Sequence, residues 1–124
     1  MPLKRPLDPT PYSQDPRSAP VTRATSDGLY VYVQDERGVI WVLPDEGHLH
    51  PKVLGKARPA KYAGDLTVRN GMIVDVTNLS GTFQFANRRG LREVAKQLRK
   101  QGLLVASNAV RFFPSDGQRP VILE

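Results

Sequence analysis

The dipeptide Asn70-Gly71 constrains this chain more than any other feature. A two-residue hairpin turn needs positive φ at both central residues, which asparagine and glycine adopt at least cost. The flanking stretches 60–69 and 72–77 are therefore expected to pair antiparallel, with Leu66 and Val68 on one face and Ile73 and Val74 on opposite faces of the partner. A second hairpin precedes it. Leu29, Val31 and Val33 alternate with Tyr30 and Tyr32, Asp35-Glu36-Arg37-Gly38 turns the chain, and residues 39–43 return. Tyrosines on one face and aliphatics on the other predict cover on both faces, with Trp41 in the core.

One helix is expected. Asn87 is a plausible N-cap, Leu91, Val94, Ala95 and Leu98 recur at helical spacing, and Gly102 stops the pattern. Arg88, Arg89, Arg92, Lys96, Arg99 and Lys100 lie off the apolar stripe against one acid, Glu93, and so hold +5 of the chain's formal charge of +6. A short apolar run at 82–85 reads as a further strand before the helix. Runs at 103–105, 110–113 and 121–123 close the chain as strands, the last entered through Pro114-Ser115-Asp116-Gly117.

The order of strands, helix and strands predicts an α+β fold: a mostly antiparallel sheet with one main amphipathic helix packed on it. At 124 residues the chain suits one small domain. Six prolines among residues 1–27 (Pro2, Pro6, Pro9, Pro11, Pro16 and Pro20) deny that stretch regular hydrogen bonding, so it reads as a disordered Pro-rich tail before a domain at 28–124. Its charges nearly cancel, which argues against a dedicated nucleic-acid-binding arm. The N-terminus has no apolar h-region and no run approaches about 18 apolar residues, so neither a signal peptide nor a membrane span is expected. The absence of cysteine excludes disulfides and thiolate chemistry and fits a cytoplasmic location.

Residues 44–59 carry Pro44, Gly47, Pro51, Gly55 and Pro59 with no surviving period, and read as a loop. Long irregular connections in small domains are more often functional than not. This one holds both histidines, His48 and His50, with Lys52, Lys56 and Arg58, and Lys61 follows it. Two histidines are too few for a metal site, and no phosphate loop or dinucleotide fingerprint occurs, so no cofactor is expected. The pair could serve as acid and base in phosphodiester cleavage with the lysines on the phosphate. Ser80 lacks the Gly-x-Ser-x-Gly elbow of a nucleophile and, with Gly81 and Thr82, reads as a tight strand entry beside Asn78, which would bond its own turn.

His50, Leu54 and Gly55, then Ala63 and Gly64, then Gly71 and Ile73, then Ser80 and Gly81 follow a spaced pattern. In this the stretch resembles a domain of the plant IQ-motif calmodulin-binding family and of bacterial and fungal proteins, some effector-like, whose pattern runs His-Ser-Ser-Phe-Leu-Ala-Gly, Ala-Gly, a Gly-centred hairpin and Ser-Gly-His-Tyr. Pro51 and Lys52 stand in place of the serines, and Thr82 and Phe83 in place of the last histidine and tyrosine. The resemblance implies that an activity carried by that histidine is missing here. No IQ motif is present.

The residues point first to a non-enzymatic binding or regulatory module using His48, His50, Lys52, Arg58, Ser80 and Thr82 toward a protein or anionic ligand. The basic helix face of Arg88, Arg89, Arg92, Lys96, Arg99 and Lys100 would suit RNA or DNA. One alternative is a histidine-dependent RNA-directed nuclease or toxin-like domain, with His48, His50 and Thr82 as catalytic candidates. Another is an interaction module tethered by the proline-rich tail.

Overall fold

A computed structural model of the chain describes residues 3, 14–45, 51–55, 59–79 and 87–123. Its elements are β1 (Ala19–Pro20), β2 (Gly28–Gln34), β3 (Ile40–Pro44), α1 (Pro51–Leu54), β4 (Tyr62–Arg69), β5 (Met72–Thr77), α2 (Arg88–Lys100), β6 (Leu104–Val105), β7 (Val110–Phe112) and β8 (Val121–Ile122). One sheet runs β1-β3-β2-β4-β5-β7-β8, with β6 also pairing β5. The fold is α+β, and its sheet is mostly antiparallel. The expected strand at 82–85 lies outside the described residues.

The Asn70-Gly71 turn has φ of 52° and 73° at its two central residues, and the Asn70 amide donates to Asp27 Oδ1 at 2.7 Å. In the first hairpin Asp35 organises the turn: its Oδ1 accepts from the amides of Arg37 and Val39, and its Oδ2 from Trp41 Nε1. Trp41 is half-buried against the core rather than inside it, because its indole N–H must reach that carboxylate. As the alternating tyrosines require, β2 is buried on both faces from Tyr30 to Gln34. The face of Tyr32 and Leu66 receives α2, and the face of Val31, Val33 and Leu43 receives α1.

α2 begins at Asn87, whose Oδ1 accepts from the Gly90 amide at 3.2 Å. It ends in a Schellman motif. The Gly102 amide donates to Arg99 and the Leu103 amide to Leu98, with Gly102 at φ 95° and Leu103 buried behind it. Gly90, Leu91, Val94, Ala95 and Leu98 form the buried stripe. Because the helix spans the sheet between β5 and the next strands, the chain returns parallel: β6 pairs the start of β5 and β7 its end.

Residues 14–27, assigned by composition to the tail, lie against the domain. Ala19 and Pro20 pair with Val42 and Trp41 on the outer edge of β3, where a proline costs no ladder bond, and Val21 is fully buried. Gln101 fastens this segment: its Nε2 donates to the carbonyls of Val21 and Ile40, and its Oε1 accepts from the Ile40 amide. Gln14 Nε2 and Ser18 Oγ both donate to the Val53 carbonyl at the end of α1. The other residues before Gln14, apart from Leu3, lie outside the described residues.

Gly64 faces Tyr32 across the β2–β4 ladder, and a Cβ there would lie on the Thr77 carbonyl. Neither backbone can yield without breaking the sheet. Gly64→Ala is therefore expected to lower the unfolding free energy by about 3 kcal/mol, the upper range for an overpacked core. Urea denaturation measures this, and a loss within about 0.5 kcal/mol, as at an ordinary surface site, would contradict it.

Candidate functional site

Along α2, Arg89, Glu93, Lys96, Gln97 and Lys100 recur at spacings of four, three, one and three residues, which places them on one stripe beside the buried one. That stripe and the N-cap Asn87 form one wall of a groove of about 600 Å³. Gln34, Arg37 and Gly38 of the β2–β3 turn, with Lys61 at the entry to β4, form the other wall. The backbone explains the meeting: the Lys61 amide donates to the Gln34 carbonyl at 2.9 Å, and the Tyr62 hydroxyl donates to the Asn87 carbonyl at 2.8 Å. These two bonds bring the start of β4 to the turn and the start of α2 to β4.

Arg37, Lys61, Arg89, Lys96 and Lys100 thus face one space, with Glu93 the one acid among the described residues of the lining. Glu93 lies 3.9 Å from Lys96 in an exposed pair, which contributes little and leaves the field positive. Gln34 is 5% exposed; its Nε2 donates to the Gly38 carbonyl at 3.1 Å, while its Oε1 has no hydrogen-bond donor.

The structure divides the basic face read from the sequence. Arg89, Lys96 and Lys100 line the groove, and Arg92 and Arg99 are exposed on the helix outside its lining. Arg88 turns the other way, with its guanidinium 5.5 Å from the centre of the Phe112 ring. Sequence reasoning missed Gln34 and Arg37 as site residues. The lone basic residue in an acidic turn was their signal, but only the tertiary fold brings it to the helix.

His48, His50, Arg58, Ser80 and Thr82 lie outside the described residues, and Lys52 falls on the backbone of α1. What the structure describes is the ground on either side. Asp45, where β3 meets the histidine loop, and Thr77, where β5 meets the corner, both come close to Asp65 of β4. The Asp65 amide donates to Thr77 Oγ1, which also accepts from the Leu79 amide. Burial, then the charges of Asp45 and Asp75, push the Asp65 carboxyl up to about 6. Asp75 itself is held by the Arg111 guanidinium at 2.6 and 3.0 Å, and that hydrogen bond raises the Arg111 pKa further. The Asn78 side chain bonds both the amide and the carbonyl of Phe113, 35 residues away, because β7 runs alongside β5 there.

Among the described residues no three histidine, aspartate or glutamate side chains form a group able to hold a metal ion. A smaller hollow of about 390 Å³ lies on the other side of the first hairpin, lined by Asp35, Glu36, Arg37, Trp41, Leu54 and Pro59. Its inner polar atoms are occupied, since Asp35 and the Trp41 indole are engaged in the turn. The basic groove keeps its cations turned toward open space and is the better site. Among the described residues no helix is long and apolar enough to cross a membrane.

Compared with protein families, with characterised proteins and with solved structures, the chain matches none.

Because its pKa is raised, the folded chain holds the Asp65 proton more tightly than the unfolded chain does. Asp65 therefore favours the fold below the ordinary carboxylate range, near pH 4, and this contribution is lost as pH rises to about 6. With allowance for solvent screening of a half-exposed group, the difference is about 1 kcal/mol. Asp65→Asn should remove that fall, so its stability relative to wild type rises between pH 4 and 6. Parallel pH profiles for the two proteins in urea melts would contradict the assignment.

Proposed function

We propose that this chain is a small cytoplasmic binding module, without chemistry of its own, whose anionic partner lies in the groove between α2 and the β2–β3 turn. The observation that supports this most strongly is the convergence, among the described residues, of five cations from three separate parts of the chain on one space with a single acid. A merely solvated helix face needs no such convergence. Arg37 and Lys61 come from the sheet, and their meeting with Arg89, Lys96 and Lys100 depends on how the helix docks. Such a lining raises the local concentration of anions and holds them by several contacts.

Asp45 and Thr77, from which the histidine loop and the corner at Asn78 lead, lie beside Asp65, and the groove rather than these segments is the proposed contact area. The residues of the resemblance that the structure describes have architectural work. Leu54 and Ile73 are buried, Gly64 makes room for the Thr77 carbonyl, and Gly71 closes the hairpin. A relationship to the IQ-motif-associated domain, if carried by these positions, is one of fold and not of chemistry.

The test is fluorescence anisotropy of a short mixed-sequence RNA over a salt series, with the joint variant Lys61→Ala, Arg89→Ala, Lys96→Ala. Wild-type affinity should fall steeply with salt. The variant should bind at least about tenfold more weakly, with a salt slope shallower by about 0.7 per lost phosphate contact. An unchanged affinity in the variant would overturn the groove as the site. RNA cut by the wild type and left whole by His50→Ala would overturn the non-enzymatic reading.

A further inference from the structure

The cations of the groove are spread out and not clustered. The helix wall carries them from Arg89 to Lys100, a span of about 16 Å at the helical rise per residue. A single phosphate is held by a tight cluster, whereas charge spread along a groove matches a chain of phosphates. Arg37 sets where such a chain leads. It lines the groove on one side of the β2–β3 turn and, on the other side, the hollow of about 390 Å³ that holds Trp41. The two spaces are neighbours around one turn.

The hollow suits a different part of the ligand. Trp41 is half-buried, and its indole N–H is fixed on Asp35 Oδ2 at 2.9 Å, while Asp35 Oδ1 takes the amides of Arg37 and Val39. With its polar edge engaged and its position set by the turn, the indole offers the hollow a preorganised ring. Leu54 and Pro59 add apolar surface beside it. The hollow is at the small end of ligand pockets, which run from roughly 300 to 1,000 Å³, and takes one planar ring system. Asp35 and Glu36 stand in the same lining, so a phosphate is repelled from it.

A nucleobase meets these conditions. It is uncharged and flat, and it carries N–H donors on the edge away from its sugar, which the Glu36 carboxylate can accept. Because one sugar joins base to phosphate, a strand whose phosphates follow the cations carries a base to the turn whatever its sequence. An acidic peptide would need an aromatic residue at one register to do the same. Resting on the groove reading above, we propose that the partner is an unpaired nucleic-acid strand, with its phosphates along Arg89, Lys96, Lys100 and Lys61 and one base rounding Arg37 into the hollow to stack on Trp41. A base in a duplex cannot enter without leaving its own stack.

Trp41 is the chain's one tryptophan, so its emission reports on the hollow while anisotropy of a labelled strand reports on binding as a whole. The experiment titrates the full chain with a short unpaired mixed-sequence RNA, an abasic ribose-phosphate strand of the same length, the blunt RNA duplex, adenosine monophosphate and an acidic peptide containing phenylalanine. The unpaired RNA should quench Trp41 and bind about tenfold more tightly than the abasic strand, the effect of one stacked base. The abasic strand and the duplex should leave Trp41 emission unchanged. Trp41→Leu, which keeps an apolar side chain in that place, should bind the unpaired and abasic strands alike. The abasic strand tests the same contact with no change to the protein, so a failure of the variant to fold does not remove the test. Unpaired RNA that binds without quenching Trp41, or no more tightly than the abasic strand, would overturn the base site and leave the groove reading standing. Binding of none of the strands would overturn both. Quenching by the duplex as strong as by unpaired RNA would overturn the need for an unpaired base. Binding of adenosine monophosphate or of the peptide as tight as that of RNA would overturn the strand assignment, in favour of a free nucleotide or a protein.

Discussion

The hydroxyl of Tyr32 donates to the Thr77 carbonyl at 2.7 Å across a strand whose residue between them has no side chain. This contact ties β2, β4 and the last residue of β5 at one buried point. Tyr32 is fully buried, and burial drives its phenol well above the ordinary tyrosine range, so the hydroxyl stays a donor at every pH the protein meets. Gly64 lets the two backbones approach, and Thr77 is the last residue of β5. From that point Asn78 bonds Phe113 and seats β7 beside β5. The helix that joins them is fixed at one end by Tyr62 on the Asn87 carbonyl and at the other by Gln101 on β3. The groove is a consequence of those two attachments.

The electrostatics are divided in the same way. The face that receives α2 opens at its edge onto Arg37, Lys61, Arg89, Lys96 and Lys100. The opposite side gathers Asp45, Asp65 and Asp75, with Arg111 engaged on Asp75 and stacked 5.3 Å from the Phe113 ring. An anionic chain drawn to the first side is repelled from the second, which orients it before contact. The described N-terminal segment, residues 14–27, has a different task. It covers the edge of β3 and the end of α1, where an unpaired strand would otherwise be exposed.

How much of this the sequence discloses depends on whether the cause is local. The Asn70-Gly71 turn and the N-cap and glycine stop of α2 are legible because a few adjacent residues determine them. The parallel pairing of β6 and β7 with β5 is not, since no periodicity records which strand a helix returns beside. β1 escapes notice because two residues, one a proline, carry no pattern; it exists because Val21 is buried and Gln101, 80 residues on, bonds its carbonyl. The basic helix face is legible as composition. Its division, with Arg88 on Phe112 and Arg89, Lys96 and Lys100 in the groove, depends on how the helix docks, as does the arrival of Arg37 and Lys61 opposite. Gln34 reads as an ordinary strand residue until its oxygen is seen to lack a donor.

The most direct test of the account is to record amide and side-chain NMR shifts of the full chain as a short RNA is titrated in. The account predicts that the largest changes fall on Gln34, Arg37, Gly38, Lys61, Arg89, Lys96, Gln97 and Lys100, with Asp45, Asp65 and Asp75 little moved. Changes centred instead on Asp45, Asp65 and the residues beside them, with the groove unaffected, would contradict it and place the functional surface on the opposite face of the sheet.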